Sequence, residues 1–150
     1  MTKEEFIALA TEAALACSRV TGFPAGITVA QAALESAWGQ SRLSREANNY
    51  FGIKAHGNGP FVELPTSEVR GGKAIRCRAR FARYDSMQTC FADRDHLIAT
   101  LSCYAEARAC AGDPEAFIRA LARYWATDPQ YAEKVLALYR NCRLGALDQR

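Results

Sequence analysis

The stretch Ala30-Gln31-Ala32-Ala33-Leu34-Glu35-Ser36-Ala37-Trp38-Gly39 decides how the rest of this chain is read. Thr28-x-x-Gln31 is a capping-box pattern that opens a helix, and Gly39 closes it after Trp38. Val29, Ala30, Ala32, Ala33, Leu34, Ala37 and Trp38 make the helix apolar almost all round, which predicts burial on most sides. Glu35 is its single ionisable group. Burial disfavours the carboxylate and raises its pKa, and the partial negative charge at a helix C-terminus pushes the same way. Both favour a proton held near neutral pH, which a general acid needs. Gln31 and Trp38 fall one turn either side on the same face. From the helix alone a second reading stays open, with Glu35 exposed or hydrogen-bonded at the helix end and Trp38 packed in the core.

Working outward, Thr2-x-x-Glu5 caps a first helix that carries Phe6, Leu9, Ala13, Cys17 and Val20 at helical spacing, ended by Gly22 and Pro24. Past the central stretch the period changes. Phe61 to Arg70 and Lys73 to Phe81 flank Gly71-Gly72, a pair suited to the positive φ angles of a two-residue hairpin turn. Ile75, Cys77, Ala79 and Phe81 then alternate with Arg76, Arg78 and Arg80, giving one covered and one wet face. Helices return after Asp85 or Ser86, with Met87, Cys90, Phe91, Leu97, Ile98, Leu101 and Tyr104 on one segment. Asp113-Pro114 and Asp128-Pro129 each read as an N-cap followed by proline at the first helical position. The layout is α+β, mostly helical, with a small hairpin lobe set between helices as a single domain over 1–150. A cleft is expected between the lobes.

The hairpin register can be counted from its turn. Arg70 faces Lys73, Val69 faces Ala74 and Glu68 faces Ile75, and directly opposed residues share a face. Glu68 therefore falls on the side of Ile75, Cys77 and Phe81, with no cation opposite it. Glu63 faces Arg80 on the polar side. A one-residue slip or a frayed end would turn Glu68 to solvent. Arg76, Arg78 and Arg80 read as a solvated strand face or as a holdfast for an anionic surface, the latter weakening with salt.

Composition sets the bounds. The 150 residues are 49% apolar and 23% charged, a folded single-domain balance. A net charge of +3, from 19 basic and 16 acidic residues, is too mild for a nucleic-acid partner. No apolar run approaches the roughly 20 residues of a membrane span, so no stable membrane insertion is expected. Met1-Thr2-Lys3-Glu4-Glu5 lacks the pattern of a secretory signal, which predicts synthesis in the cytoplasm. The six cysteines form no C-x-x-C pair, and His56 and His96 are not at metal-ligand spacing. Reduced cysteines behaving as small apolar side chains are expected, with no metal and no organic cofactor. His56 reads as a surface loop residue and His96 as solvated.

Four motifs in order carry a resemblance. The run from Ala30 to Ser41, then Asn48-Asn49-Tyr50-Phe51-Gly52-Ile53-Lys54, Tyr84-Asp85-Ser86, and Ala126-Thr127-Asp128-Pro129-Gln130-Tyr131-Ala132 resemble the β-N-acetylglucosaminidases of glycoside hydrolase family 73. The similarity runs from about the first helix to Tyr139. It implies a lysozyme-like two-lobed fold and an endo-acting hydrolase that cuts the β-1,4 bond after N-acetylglucosamine in bacterial peptidoglycan. A monomer acting on the glycan strands is expected. It places the catalytic acid on Glu35, a second carboxylate on Glu68 of Thr66-Ser67-Glu68, and a tyrosine beside the scissile bond on Tyr131. Substrate contacts are expected from Gln31, Trp38, Asn49, Tyr50, Phe51 and Tyr124. Asn48-Asn49 suit either acetamido groups or a turn cap, and of Tyr50 and Phe51 one belongs to the cleft and one to the core. The chain departs from the family pattern in two places. Ala55-His56-Gly57-Asn58-Gly59-Pro60 stands where members carry a tryptophan, and Tyr124-Trp125 stands where some have Gly-Tyr.

The rivals to this reading are a muramidase or lytic transglycosylase of the same fold, and a non-catalytic wall-binding or assembly protein. A lone catalytic domain without a signal peptide suits a phage endolysin, acting on the wall (periplasmic or extracellular) after release. A flagellar or secretion-apparatus wall remodeller is the alternative.

Overall fold

A computed structural model describes residues 1–149. It holds seven α-helices and one antiparallel hairpin among the described residues. Helix α1 (Lys3–Thr21) begins where Thr2 Oγ1 accepts from the Glu5 amide at 3.0 Å and ends at Gly22 in the left-handed region, φ 77°. Its inner stripe is Phe6, Ala10, Ala13, Ala14 and Cys17. Leu9 and Val20, expected inside, face outward. Small side chains let α1 lie close against α2, and the larger ones at 9 and 20 find no element to cover them.

Helix α2 (Ala25–Ser36) is the buried axis of the helical lobe, with α1, α7 and the C-terminal turn packed around it. It starts three residues before the expected Thr28 cap, and no side chain of its own caps it. The Thr28 hydroxyl instead donates back to the Pro24 carbonyl at 3.3 Å. The cap comes from 122 residues away. Asp148, in a 3-10 turn over Leu144–Asp148, accepts from the Gly26 amide at 3.0 Å and from the Tyr139 hydroxyl at 2.9 Å. A carboxylate at that position satisfies a free helix N–H and complements the helix dipole.

Helix α3 (Arg42–Ala47) follows a Ser41 cap and leads through a loop into β1 (Phe61–Arg70) and β2 (Lys73–Ala82). Pairing is as counted from the turn, with Glu68 opposite Ile75, Glu63 opposite Arg80 and Arg70 opposite Lys73. Gly71 and Gly72 both take positive φ, 56° and 78°. Only the base of the hairpin is buried, at Leu64, Phe81 and Ala82, whereas Val69 and Ile75 near the tip are exposed. The alternation is real, but two strands without a third element leave the far end of the apolar face uncovered.

Ser86, not Asp85, caps α4 (Met87–Thr100). A 3-10 turn (Ser102–Tyr104), α5 (Ala105–Ala109), α6 (Pro114–Trp125) and α7 (Tyr131–Asn141) complete the lobe. Asp113 caps α6 with Pro114 in its first turn, as read. Asp128-Pro129 forms a turn instead: Asp128 accepts from the Gln130 amide and from Lys134, and α7 begins two residues later than expected, at Tyr131. All six cysteines are free, Cys17 and Cys90 buried and Cys103 exposed. No helix among the described residues is long and apolar enough to cross a membrane.

The α2 N-terminus gives a direct check on this packing. A Cβ on Gly26 would collide with the Leu144 carbonyl and crowd Asp148 and Tyr139. Gly26→Ala should therefore lower unfolding free energy by about 2 kcal/mol in urea titrations. A wild-type midpoint would mean that the C-terminal turn does not pack there in solution.

Candidate active site

The helix that carries Glu35 stops one residue after it. Ala37, Trp38 and Gly39 take successive left-handed conformations, φ 49°, 60° and 79°. Ser36 braces the reversal, its hydroxyl donating to the Ala32 carbonyl at 2.7 Å and accepting from the Gly39 amide at 2.9 Å. Trp38 is thereby swung off the Glu35 face. Its ring packs edge-on against Phe6 of α1, centroids 6.1 Å apart, with Lys3 Nζ 4.8 Å from its centre. Trp38 was expected to contact substrate beside Glu35, but the helix does not continue far enough to place it there.

Glu35 opens into a cleft of about 360 Å³ between the helical lobe and the segment leading into the hairpin. Phe51, Gly52, Ile53 and Lys54 form one wall, and Leu97, Tyr104 and Trp125 form the other. Gly52 takes φ 68° and runs past the acid, such that a Cβ there would stand 3.5 Å from Glu35 Oε2. Burial pushes the Glu35 carboxyl above the ordinary glutamate pKa, and the nearby Tyr131 hydroxyl offsets part of that rise. Tyr131, at the first turn of α7, is buried too, and burial with the adjacent Glu35 raises its own pKa. Its hydroxyl has no partner in hydrogen-bond geometry. Tyr131 and Glu35 are thus interacting neighbours held just short of a closed bond.

Three expected substrate contacts turn out to be buried framework. Gln31 is fully buried, and its Oε1 accepts twice from Arg94, at 2.7 and 3.2 Å. Asn49 is spent on the backbone: its amide nitrogen donates to the Ile53 and Ala82 carbonyls, both at 2.9 Å, and its oxygen accepts from the Phe51 and Ile53 amides. The turn-cap reading of Asn49 therefore holds, and its side chain has little left for a ligand. Tyr50 packs between Phe6 and Phe91 in the core, whereas Phe51 is the member of that pair that reaches the cleft wall. Tyr124 is 64% exposed and outside the cleft lining. Trp125 lines it instead, lying four residues beyond buried Leu121 on the inner stripe of α6.

Glu68 sits on the hairpin face counted for it, but it is not without cations. Lys54 Nζ lies 3.1 Å from Oε1 and Arg70 Nη2 3.0 Å from Oε2. Both side chains come from outside the cross-strand pair, which is why counting opposed residues missed them. Hydrogen bonds from Lys54 and then Arg70 pull its pKa below the ordinary value. Glu68 does not line the cleft itself; Lys54 does, and joins it to Glu68. Glu63 pairs diagonally with Arg78 at 3.2 Å, while Arg80, directly opposite, stacks over Phe61.

His56 is exposed as expected but tethered, its Nε2 2.8 Å from Asp93 Oδ2, the same oxygen that accepts from the Tyr84 hydroxyl. This trio lines a separate hollow of about 330 Å³ behind the cleft wall. His96 is exposed. No group of three or more His, Cys, Asp or Glu residues able to hold a metal ion exists among the described residues.

A mainly helical lobe with an acid at the end of its buried helix, facing a hairpin that carries a second carboxylate, is the arrangement of a lysozyme-like glycosidase. A family model described as mannosyl-glycoprotein endo-beta-N-acetylglucosaminidase matches residues 11–144, and the chain belongs to this glucosaminidase family. It is 37% identical over 144 residues to the peptidoglycan hydrolase FlgJ of Pseudomonas aeruginosa, covering 91% of this chain and 36% of that protein. The exo-glucosaminidase LytG of Bacillus subtilis is 34% identical over 128 residues, covering 82% of this chain and 45% of LytG. This chain thus spans less than half the length of either relative. The catalytic domain of the Listeria monocytogenes autolysin Auto superposes with a TM-score of 0.86 at 30% identity, over 97% of this chain and 87% of that domain. Glycoside hydrolase family 73, expected from the motifs, is the family found.

The raised Glu35 pKa has a stability consequence. Its folded value lies above its unfolded one, so in the window between them the folded state holds a proton that the unfolded state has lost, and stability falls as pH rises. Glu35→Gln should therefore melt at a higher temperature than wild type at neutral pH, with the difference vanishing below about pH 4. Equal melting curves at pH 7 would show that Glu35 is not desolvated.

Proposed function

We propose that the chain, as one catalytic domain, is an endo-β-N-acetylglucosaminidase that hydrolyses the β-1,4 bond following N-acetylglucosamine in peptidoglycan glycan strands. The observation that carries this reading is the opposite tuning of two carboxyls. Glu35 is pushed toward its protonated form by burial, and Glu68 toward its ionised form by Lys54 and Arg70. Environments that drive paired carboxyls apart assign one as acid and the other as anion. Family membership and the peptidoglycan-hydrolase relatives support the substrate class.

Glu35 gives its proton to the glycosidic oxygen as the bond from that oxygen to the anomeric carbon breaks, and positive charge develops on the ring that keeps that carbon. Glu68 stays anionic and steadies that charge or orients water. Water adds to the anomeric carbon, its proton returns to the Glu35 carboxylate, and the acid is restored. Tyr131 beside Glu35 helps to hold the carboxylate formed midway. Phe51, Tyr104 and Trp125 supply the apolar wall against which sugar rings stack.

Mass spectrometry of soluble fragments from purified peptidoglycan tests the reading. Fragments should carry a reducing N-acetylglucosamine end, and Glu35→Gln should release them about 100-fold more slowly or worse. A reducing or 1,6-anhydro muramic end would move the protein to the muramidase or lytic transglycosylase class. Absence of fragments from folded protein would favour a binding module. Glu68→Gln should keep the wild-type melting temperature yet turn over roughly tenfold slower or worse, and near-normal turnover would remove Glu68 from the mechanism.

A further inference from the structure

Arg94 is fully buried, among the largest such side chains in the protein, and no part of the mechanism above uses it. Its Nη1 donates to Asp95 at 2.7 Å and to Thr28 Oγ1 at 2.9 Å, and Nε and Nη2 both converge on Gln31 Oε1. A guanidinium has donors and no acceptor. The atom of Gln31 that faces it must therefore be the oxygen, and the amide cannot flip. Gln31 Nε2, a donor, is left pointing the other way, and among the described residues it is one of two buried polar side-chain atoms without a hydrogen-bond partner. The other is the Tyr131 hydroxyl. Gln31 lies one helical turn before Glu35 on α2, and Tyr131 of α7 interacts with both.

We propose that Arg94 is a positioning residue that fixes, through Gln31, the direction in which the Tyr131 hydroxyl donates, so that its proton faces Glu35. Polarity runs one way along the chain of groups. Arg94 can only donate to Gln31 oxygen, Gln31 nitrogen can only donate to the Tyr131 oxygen, and the remaining direction for the Tyr131 proton is the Glu35 carboxyl. The contacts from Gln31 to Tyr131 and from Tyr131 to Glu35, short of hydrogen-bond geometry in this structure, close when Glu35 gives up its proton and becomes a better acceptor. A free Gln31 amide could present its oxygen to Tyr131, which would then donate to Gln31 and leave the new carboxylate unsupported. Other ionisable groups near Glu35 are Lys54, His56 and Tyr104, which line the same cleft, with Glu68 held by Lys54 and Asp95 paired with Arg94.

The inference rests on the reading of Glu35 as the acid, and a pH profile separates the two. Losing the Tyr131 donation makes the carboxylate less favourable, so Glu35 keeps its proton to higher pH. The alkaline limb of kcat/KM on purified peptidoglycan should move up by roughly one pH unit in Gln31→Met, which leaves the Arg94–Asp95 pair intact but has no amide to donate to Tyr131, and likewise in Tyr131→Phe. The double variant should move no further than Tyr131→Phe alone. A purely structural role for Arg94 would lower the melting temperature and the amount of active enzyme without moving the limb. Arg94→Met, which removes the donors that hold the Gln31 oxygen, should move the limb the same way, and Gln31→Met carries the test should that variant fail to fold. An unmoved limb in a folded variant, or shifts that add in the double, overturns the relay while an inactive Glu35→Gln keeps the acid assignment. An active Glu35→Gln overturns the acid and the relay together.

Discussion

A guanidinium removed from water dictates much of this structure. The interior offers no solvent to Arg94, so its hydrogen-bonding positions must be met by protein atoms in fixed places, and leaving a buried charge without its partner costs about 3–5 kcal/mol. Asp95 on α4, Thr28 and Gln31 on α2, and the ring face of Phe51 at 5.5 Å meet that demand. Thr21, at the end of α1, donates to the second Asp95 oxygen at 3.1 Å. One cation thus ties α1, α2, α4 and the cleft wall. A buried ion pair adds little net stability over apolar packing, but it admits few arrangements. Here the arrangement it admits sets the rotation of α2 about its axis, and with it the direction in which Glu35 projects.

The other side of the cleft rests on a neutral amide. All four polar contacts of Asn49 go to backbone groups at 51, 53 and 82, so the segment from Phe51 to Lys54 is pinned both to itself and to the base of β2. That is how a loop without regular structure of its own can hold Gly52 beside Glu35 and aim Lys54 outward toward Glu68. The two carboxyls accordingly belong to two differently built surroundings. One is mostly buried and short of donors; the other is exposed and flanked by cations. Their pKa values separate for those reasons.

Much of this was legible in the chain because it is local. Gly71-Gly72 fixes the hairpin register, and the register puts Glu68 on the right face. Thr2, Ser86 and Asp113 cap the helices that follow them. The apolar circumference of the segment around Glu35 announces its burial. What could not be read depends on partners distant in sequence. The cap of α2 is Asp148, so the local Thr28-x-x-Gln31 pattern gave a start four residues late. Ala92-Asp93-Arg94-Asp95-His96 looks like a solvated charged turn of helix, and only the fold reveals that positions 94 and 95 point inward while 96 does not. Gln31 and Asn49 are polar residues in motifs that touch the site. Sequence cannot tell a side chain that meets a ligand from one that holds the residues that do. Trp125 was recoverable, since it continues the stripe of Ile118 and Leu121, although its neighbour Tyr124 was the residue expected at the substrate.

Trp38 failed for a different reason, and that reason bears on how the site is made. Alanine and tryptophan in left-handed conformations are unfavourable by about 1–3 kcal/mol each, so the turn at Ala37, Trp38 and Gly39 must be held by its surroundings. The Ser36 hydroxyl, the Trp38 amide on the Ala33 carbonyl and the Ser41 amide on the Ser36 carbonyl hold it from within. Phe6 and Lys3 hold the indole from outside. The strain lies next to the acid, and it has a consequence there. Had α2 run on to Trp38, Glu35 would sit a turn inside the helix, farther from its negative end. Stopping the helix at Ser36 leaves Glu35 in the last turn, among carbonyls whose partial negative charge opposes ionisation, at the mouth of a cleft it must reach. An indole anchored on α1 is therefore part of what holds Glu35 in that last turn, where ionisation is opposed, although it does not line the cleft.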